Sequence, residues 1–131
     1  MYSMKEACQL TGLPYETLKF YCKEGLVPNV KRDSHNYRIF DEHDINWIKS
    51  LKCLKDCDMS IAEMKVYLTL CLEGKSSIPE RKVILARKKE ALLQSMEQLQ
   101  TSIAYIDWKQ NFYDEVLAGE TEYYSNLIPN A

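Results

Sequence analysis

The stretch Leu13-Pro14-Tyr15-Glu16-Thr17-Leu18-Lys19-Phe20-Tyr21-Cys22-Lys23-Glu24-Gly25-Leu26-Val27-Pro28 decides the fold. Pro14 suits a first helical turn, where its fixed φ is helical and its missing N–H has no partner to lose. Gly25 stands where a helix ends in a left-handed residue, and Pro28 stops any continuation. The spacing predicts a helix to about Glu24. Just upstream, Ser3 and Glu6 form an S-x-x-E capping box, so a short helix is expected from Met4 to about Leu10, ended by Thr11-Gly12. Two short helices joined by a tight turn with glycine are a helix-turn-helix.

Beyond Pro28 the pattern changes. From Val30 to Phe40, β-branched and aromatic residues flank the polar centre Asp33-Ser34-His35-Asn36, which predicts a small two-stranded ribbon, or wing. Asp41 caps a third helix ending near Cys57. Ser60 and Glu63 make a second capping box and open a fourth helix through about Glu73. Gly74-Lys75-Ser76-Ser77 reads as a short linker, after which Ser77 and Glu80 repeat the capping pattern. A long fifth helix follows from about Pro79 to Leu117, without glycine or proline after its start.

That last helix carries Leu85, Leu92, Met96, Leu99, Ile103, Ile106, Tyr113 and Leu117 in alternating steps of three and four, with Lys89 and Gln110 as polar members of the same series. This is a coiled-coil seam. A helix of this length cannot cover its seam on one small domain, so a second copy of the chain is the simplest partner; packing against the fourth helix is the other reading. The tail after Gly119 is polar apart from Tyr123-Tyr124 and Leu127-Ile128. It is either loose or docked through its aromatic pair. The expected organisation is a winged helix-turn-helix head over 1–75, a dimerisation helix over 76–118 and a tail over 119–131.

Composition narrows the function classes. The 131 residues carry a net charge of −2, but the cations Lys19, Lys23, Lys31, Arg32 and Arg38 gather between Tyr15 and Arg38, which allows a local basic patch on a neutral protein. No apolar run is long enough to span a bilayer and no secretory signal opens the chain, so a soluble cytoplasmic protein without membrane contact is expected. The five cysteines are Cys8, Cys22, Cys53, Cys57 and Cys71. They form no C-x-x-C and no Cys/His array, so free thiols are expected and neither a metal nor another cofactor. His35 and His43 are isolated and no nucleophile–base–acid set occurs, so an enzyme is not expected.

Leu13, Thr17-Leu18-Lys19-Phe20-Tyr21, Gly25-Leu26-Val27-Pro28, Asn36-Tyr37-Arg38-Ile39-Phe40 and Met59-Ser60-Ile61 resemble, in order and spacing, the MerR family of transcription regulators. The resemblance covers nearly the whole chain. It departs at Lys19, where the family usually has arginine and where lysine loses the bidentate fork. It departs also at Cys22, often glutamate, and at Pro14, commonly a serine cap. It implies a mostly α fold: a winged helix-turn-helix followed by a long C-terminal helix that forms an antiparallel coiled coil. It implies a homodimer on a palindromic site in double-stranded promoter DNA, distorting that DNA so that RNA polymerase can read it. Such remodelling is indirect readout.

On this resemblance Lys19, Arg32 and Arg38 are the expected phosphate contacts, since phosphates need cations. Tyr15, Thr17, Phe20 and Tyr37 are candidates for base-edge or backbone contacts. Phe20 and Tyr21 can equally be core aromatics, Tyr21 more so. Lys23 and Lys31 read as solvated charges.

Metal-sensing relatives carry cysteines at the end of the long helix, and this chain has none beyond Cys71. On a helical wheel Trp47, Ile48, Leu51 and Leu54 share one side of the third helix. Cys53 lies opposite with Asn46, Lys49 and Asp56; Cys57 is one turn below it. Lys49 favours the thiolate and Asp56 opposes it. Cys53 also matches a single cysteine in the AdhR and NmlR-like branch, regulators of aldehyde and thiol stress, and the resemblance implies an electrophile sensor at Cys53 with Cys57 as accessory. A buried cysteine that merely packs is the plainer alternative. Cys71 and Cys22 read as core thiols. The competing functions are a MerR-type regulator with a non-thiol effector or none, and a coiled-coil interaction module without DNA binding.

Overall fold

The computed structural model describes residues 1–129; Asn130 and Ala131, the end of the expected tail, lie outside the described residues. The order is β1 (Tyr2–Ser3), α1 (Met4–Thr11), α2 (Tyr15–Lys23), β2 (Lys31–Arg32), β3 (Arg38–Phe40), α3 (Glu42–Asp56), α4 (Ile61–Leu72), a 3-10 turn (Gly74–Ser77) and α5 (Ile78–Leu117). The chain divides into a first unit, Met1–Lys89, and a second beginning at Glu90. The fold is mostly α, with an N-terminal helix-turn-helix and a long C-terminal helix, as the sequence predicts.

Side chains set the helix starts. The Ser3 hydroxyl accepts from the Glu6 N–H while Glu6 accepts from the Ser3 N–H, at 3.1 and 3.0 Å. Ser60 and Glu63 repeat this at 3.1 Å in both directions. Asp41 and Asp44 do so with two carboxylates, at 2.8 and 2.9 Å. Each box satisfies two N–H groups that a helix start otherwise leaves unpaired. α2 ends where Gly25 takes φ 77° and the Leu26 N–H reaches back to the Tyr21 carbonyl at 2.9 Å.

Three expectations need correction. The ribbon is not two-stranded: β1 pairs with β3 through Tyr2–Phe40 and Ser3–Ile39, giving a three-stranded antiparallel sheet in the order β1-β3-β2. Two residues before a capping box are too short to show a strand period. Ser77 does not cap α5. Its hydroxyl donates to the carbonyls of Leu70 and Gly74 and accepts from Arg81 Nε, because the 3-10 turn runs directly into α5 and leaves no free helix start. Cys71 is half-buried rather than in the core, its sulfur 3.8 Å from Arg81 Nη1. Cys22 is also only half-buried, though it packs against the core.

The first unit has a continuous core. Leu18, Leu26, Phe40, Ile45, Ile48, Leu51 and Met64 are buried with at most 2% exposure, and Tyr21 joins them. The Trp47 indole N–H donates to the Leu26 carbonyl at 2.7 Å, tying α3 to the turn after α2. On the α4 side the Lys88–Glu63 ion pair, at 2.8 Å, ties the third turn of α5 to the start of α4 within the same unit.

α5 has 40 residues, about 60 Å at the helical rise, and none is buried. At its end the Glu120 N–H bonds to the Glu115 carbonyl and Gly119 takes φ 77°, a left-handed stop that reverses the chain. The tail then brings Tyr124 onto Phe112, ring centroids 5.0 Å apart. The tail is thus docked through one of its two tyrosines, within the second unit.

Candidate nucleic-acid interface

Burial sorts α2 into two faces. Leu18 and Tyr21 turn into the core, at 0% and 2% exposure, and the helical period then leaves Tyr15, Glu16, Phe20 and Lys23 exposed and Lys19 half-buried. Phe20, which the sequence leaves open between core and surface, is 44% exposed. Thr17 is half-buried beside it.

The β2–β3 hairpin stands next to the start of α2. Its turn is built by Asp33, whose carboxylate accepts from the N–H groups of His35 and Tyr37 at 2.9 and 3.0 Å. Asn36 takes the left-handed conformation at φ 64°, which asparagine tolerates better than other side chains. Arg32 Nη1 donates to the Asn36 carbonyl at 2.8 Å, so part of that guanidinium braces the hairpin. Tyr37 is left standing out at 71% exposure, with His35 stacked on it at 6.5 Å.

These elements bring four of the seven expected contact residues together. Tyr15, Arg32, Tyr37 and Arg38 line one notch of about 100 Å³, with Met4 and Asn36. Lys19 and Phe20 share a second hollow of about 160 Å³ with Glu16 and Lys23. Thr17 lines an adjoining apolar groove with Met59 and Ile61, which shares Glu16 and Phe20 with the second hollow.

Charge completes the site. Among the described residues, Lys19, Lys23, Arg32 and Arg38 pair with no carboxylate, whereas Lys31 is held by Asp41 at 3.0 Å. Lys31 is therefore a structural cation, not merely a solvated one. Burial pushes the Cys22 thiol up, while Arg38 and Arg32 pull it the other way, which puts both guanidiniums within electrostatic reach of the back of α2. Unpaired cations flanking an exposed helix are what a phosphate backbone neutralises. Two further cations border these hollows: Lys23, which the sequence reads as a solvated charge, and Lys55, which it does not single out. Lys23 shares the Lys19 hollow, and Lys55 opens onto the Thr17 groove from the end of α3; the one-turn spacing of Lys19 and Lys23 was the available signal.

The cysteines sit elsewhere. Cys53 is exposed on α3, and Cys57 is half-buried at the α3 C-cap, its N–H donating to the Cys53 carbonyl at 3.0 Å. Among the described residues no group of three or more His, Cys, Asp or Glu could hold a metal ion, and no helix is long and apolar enough to cross a membrane.

An exposed helix-turn-helix beside a cationic hairpin is a nucleic-acid-reading arrangement, and known proteins agree. Residues 2–70 match the family model described as MerR HTH family regulatory protein. The chain belongs to the MerR family. It is 31% identical to an uncharacterized HTH-type transcriptional regulator of Haemophilus influenzae, over 89% of this chain and 87% of that one. It is 40% identical to the HTH-type transcriptional regulator AdhR of Bacillus subtilis, over 63% of this chain and 59% of AdhR. Among solved structures it resembles HiNmlR, a MerR family regulator lacking the sensor domain, bound to promoter DNA. There the TM-score is 0.74 and the identity 31%, covering 89% of this chain and 93% of that one. The chain is a MerR-type DNA-binding transcriptional regulator rather than an enzyme.

Proposed function

We propose that the chain works as a cytoplasmic homodimer that grips an inverted-repeat promoter and distorts it, RNA polymerase acting on the remodelled DNA. Two α5 helices pair antiparallel along the expected seam, as a winged-helix MerR dimer would. The carrying observation is the state of that seam. Leu85, Leu92, Met96, Leu99, Ile103, Ile106, Tyr113 and Leu117 are 37% to 86% exposed in a single copy. An apolar stripe of this length without a cover calls for a partner helix, and a two-fold pair places the same stripe of each copy against the other.

In this reading Tyr15, Thr17, Lys19, Phe20, Arg32, Tyr37 and Arg38 meet the DNA. Lys19, Arg32 and Arg38 supply phosphate contacts, and Phe20 and Tyr37 supply aromatic surface. The likeness to HiNmlR, whose structure holds promoter DNA, supports this assignment. Band-shift titration of the promoter region upstream of the gene, at several salt concentrations, tests it. Tight, salt-sensitive binding with two chains per duplex is expected, and indifference to every inverted repeat there would overturn it.

The branch resemblance extends the proposal to the input. Cys53 is exposed, so an aldehyde can reach it. Addition of the thiol across the carbonyl forms an S–C bond and moves the thiol proton to the carbonyl oxygen. The polar adduct then shifts the balance between two dimer shapes, with Cys57 as accessory thiol. Cys53→Ala should abolish the transcriptional response to added formaldehyde while leaving promoter binding intact. A normal response in that variant would favour a non-thiol effector.

A further inference from the structure

One feature of α5 lies outside the seam. Tyr105, Trp108 and Phe112 are spaced three and four apart and project about 140° around the helix from Ile103, Ile106, Tyr113 and Leu117, at about 100° per residue. Their rings follow one another at 6.1 and 6.4 Å, Trp108 and Phe112 nearly parallel at 12°. Pairing along the seam leaves Tyr105, Trp108 and Phe112 uncovered, with the seam residue Tyr113 at their border. The returning tail adds Tyr124 against Phe112, and helix and tail together line an open cavity of about 440 Å³ within the second unit. That volume falls in the range of small-molecule sites, roughly 300–1,000 Å³.

The cavity contains a cation. Lys109 Nζ lies 5.4, 5.5 and 6.0 Å from the ring centroids of Trp108, Tyr113 and Phe112. Among the described residues it pairs with no carboxylate. The ring faces can hold an ammonium, but three hydrogen-bond donors at its tip remain free to meet an anion. Flat π surfaces favour a flat ligand by offset stacking. A resident cation disfavours a cationic ligand and favours an anionic one.

We propose that the α5–tail cavity is a binding site for a planar aromatic carboxylate, its ring stacking on Trp108 and Phe112 and its carboxylate on Lys109. The site goes beyond the regulator reading, because binding needs neither DNA nor any thiol. Calorimetric titration of the full chain with indole-3-carboxylate, against the neutral isostere indole-3-carboxamide, tests it. The carboxylate should bind saturably and about tenfold more tightly than the amide, the size of one charge-assisted contact. Lys109→Met should erase that preference while leaving the helix content unchanged. Phe112→Leu should weaken both compounds by about fivefold through lost stacking.

Absence of saturable heat to about 1 mM, or an unchanged preference in Lys109→Met, would overturn the site. So would the finding that Phe112→Leu only lowers the stability of a dimer: the stripe would then be covered by a second copy. Promoter binding, measured separately, stands or falls independently of these heats.

Discussion

The unit Met1–Lys89 and the unit that follows from Glu90 are both rich in large apolar side chains, yet they use them oppositely. In the first, Leu18, Leu26, Phe40, Ile48 and Leu51 are shut away from water completely. In the second, no described residue is buried, and Met96, Leu99, Ile103 and Ile106 stand more than half exposed. The first unit carries its own core. The second exposes its apolar stripe, and in the proposed dimer a partner helix supplies the burial that one chain lacks.

Charging the seam should have the largest effect. Leu99→Glu with Ile103→Glu buries four carboxylates in each pair of chains, and the dimer should weaken by about three orders of magnitude or more, as read by sedimentation equilibrium. A core truncation comes next. Leu18→Ala should lower the unfolding free energy by about 2–5 kcal/mol, whereas Phe20→Ala, two residues on but outside the core, should change it by less than about 0.5 kcal/mol. Denaturant midpoints separate the two. If Phe20→Ala were as costly as Leu18→Ala, the division of α2 into inner and outer faces would be wrong.

Arg38→Ala should weaken promoter binding by about tenfold for every sequence and reduce the salt slope by about one. Unchanged affinity and slope would remove Arg38 from the contacts.

The smallest effect comes from the helix starts, and it separates acid from neutral conditions. The Ser3 N–H lowers the Glu6 carboxyl, the Asp44 N–H lowers that of Asp41, and Lys88 with the Ser60 N–H lowers that of Glu63. Depressed carboxyls contribute stability above their ordinary values of 4.5, 3.8 and 4.5, and that stability is lost as pH falls through and below them. All three groups belong to the first unit, so its unfolding midpoint should drop between pH 5 and the acid side of these values, and a flat midpoint would contradict the capping roles.

Much of this contrast is legible in the sequence, for physical reasons that differ by element. The capping boxes at Ser3 and Ser60 are local chemistry, complete within four residues, and they read directly. Tyr21 and Leu18 read as core because a helix buries one stripe. The seam reads because steps of three and four repeat over more than thirty residues of α5. What escaped was short or non-local. β1 is two residues long and acquires its meaning only from Phe40, far along the chain. Ser77 imitates a cap because the same S-x-x-E spelling serves a 3-10 turn that continues into a helix. The pairing of Lys31 with Asp41, and the folding of Tyr124 onto Phe112, are tertiary facts that no spacing encodes. Tyr15, Arg32, Tyr37 and Arg38 follow from family likeness, and the hairpin geometry brings them to one notch.

The most direct test is the mass of the complex on a promoter duplex carrying an inverted repeat, measured by sedimentation with and without DNA. A dimer in free solution at micromolar concentration and two chains on each duplex are expected. A chain that stays monomeric, or that binds one per duplex with undiminished affinity, would contradict the proposed dimer.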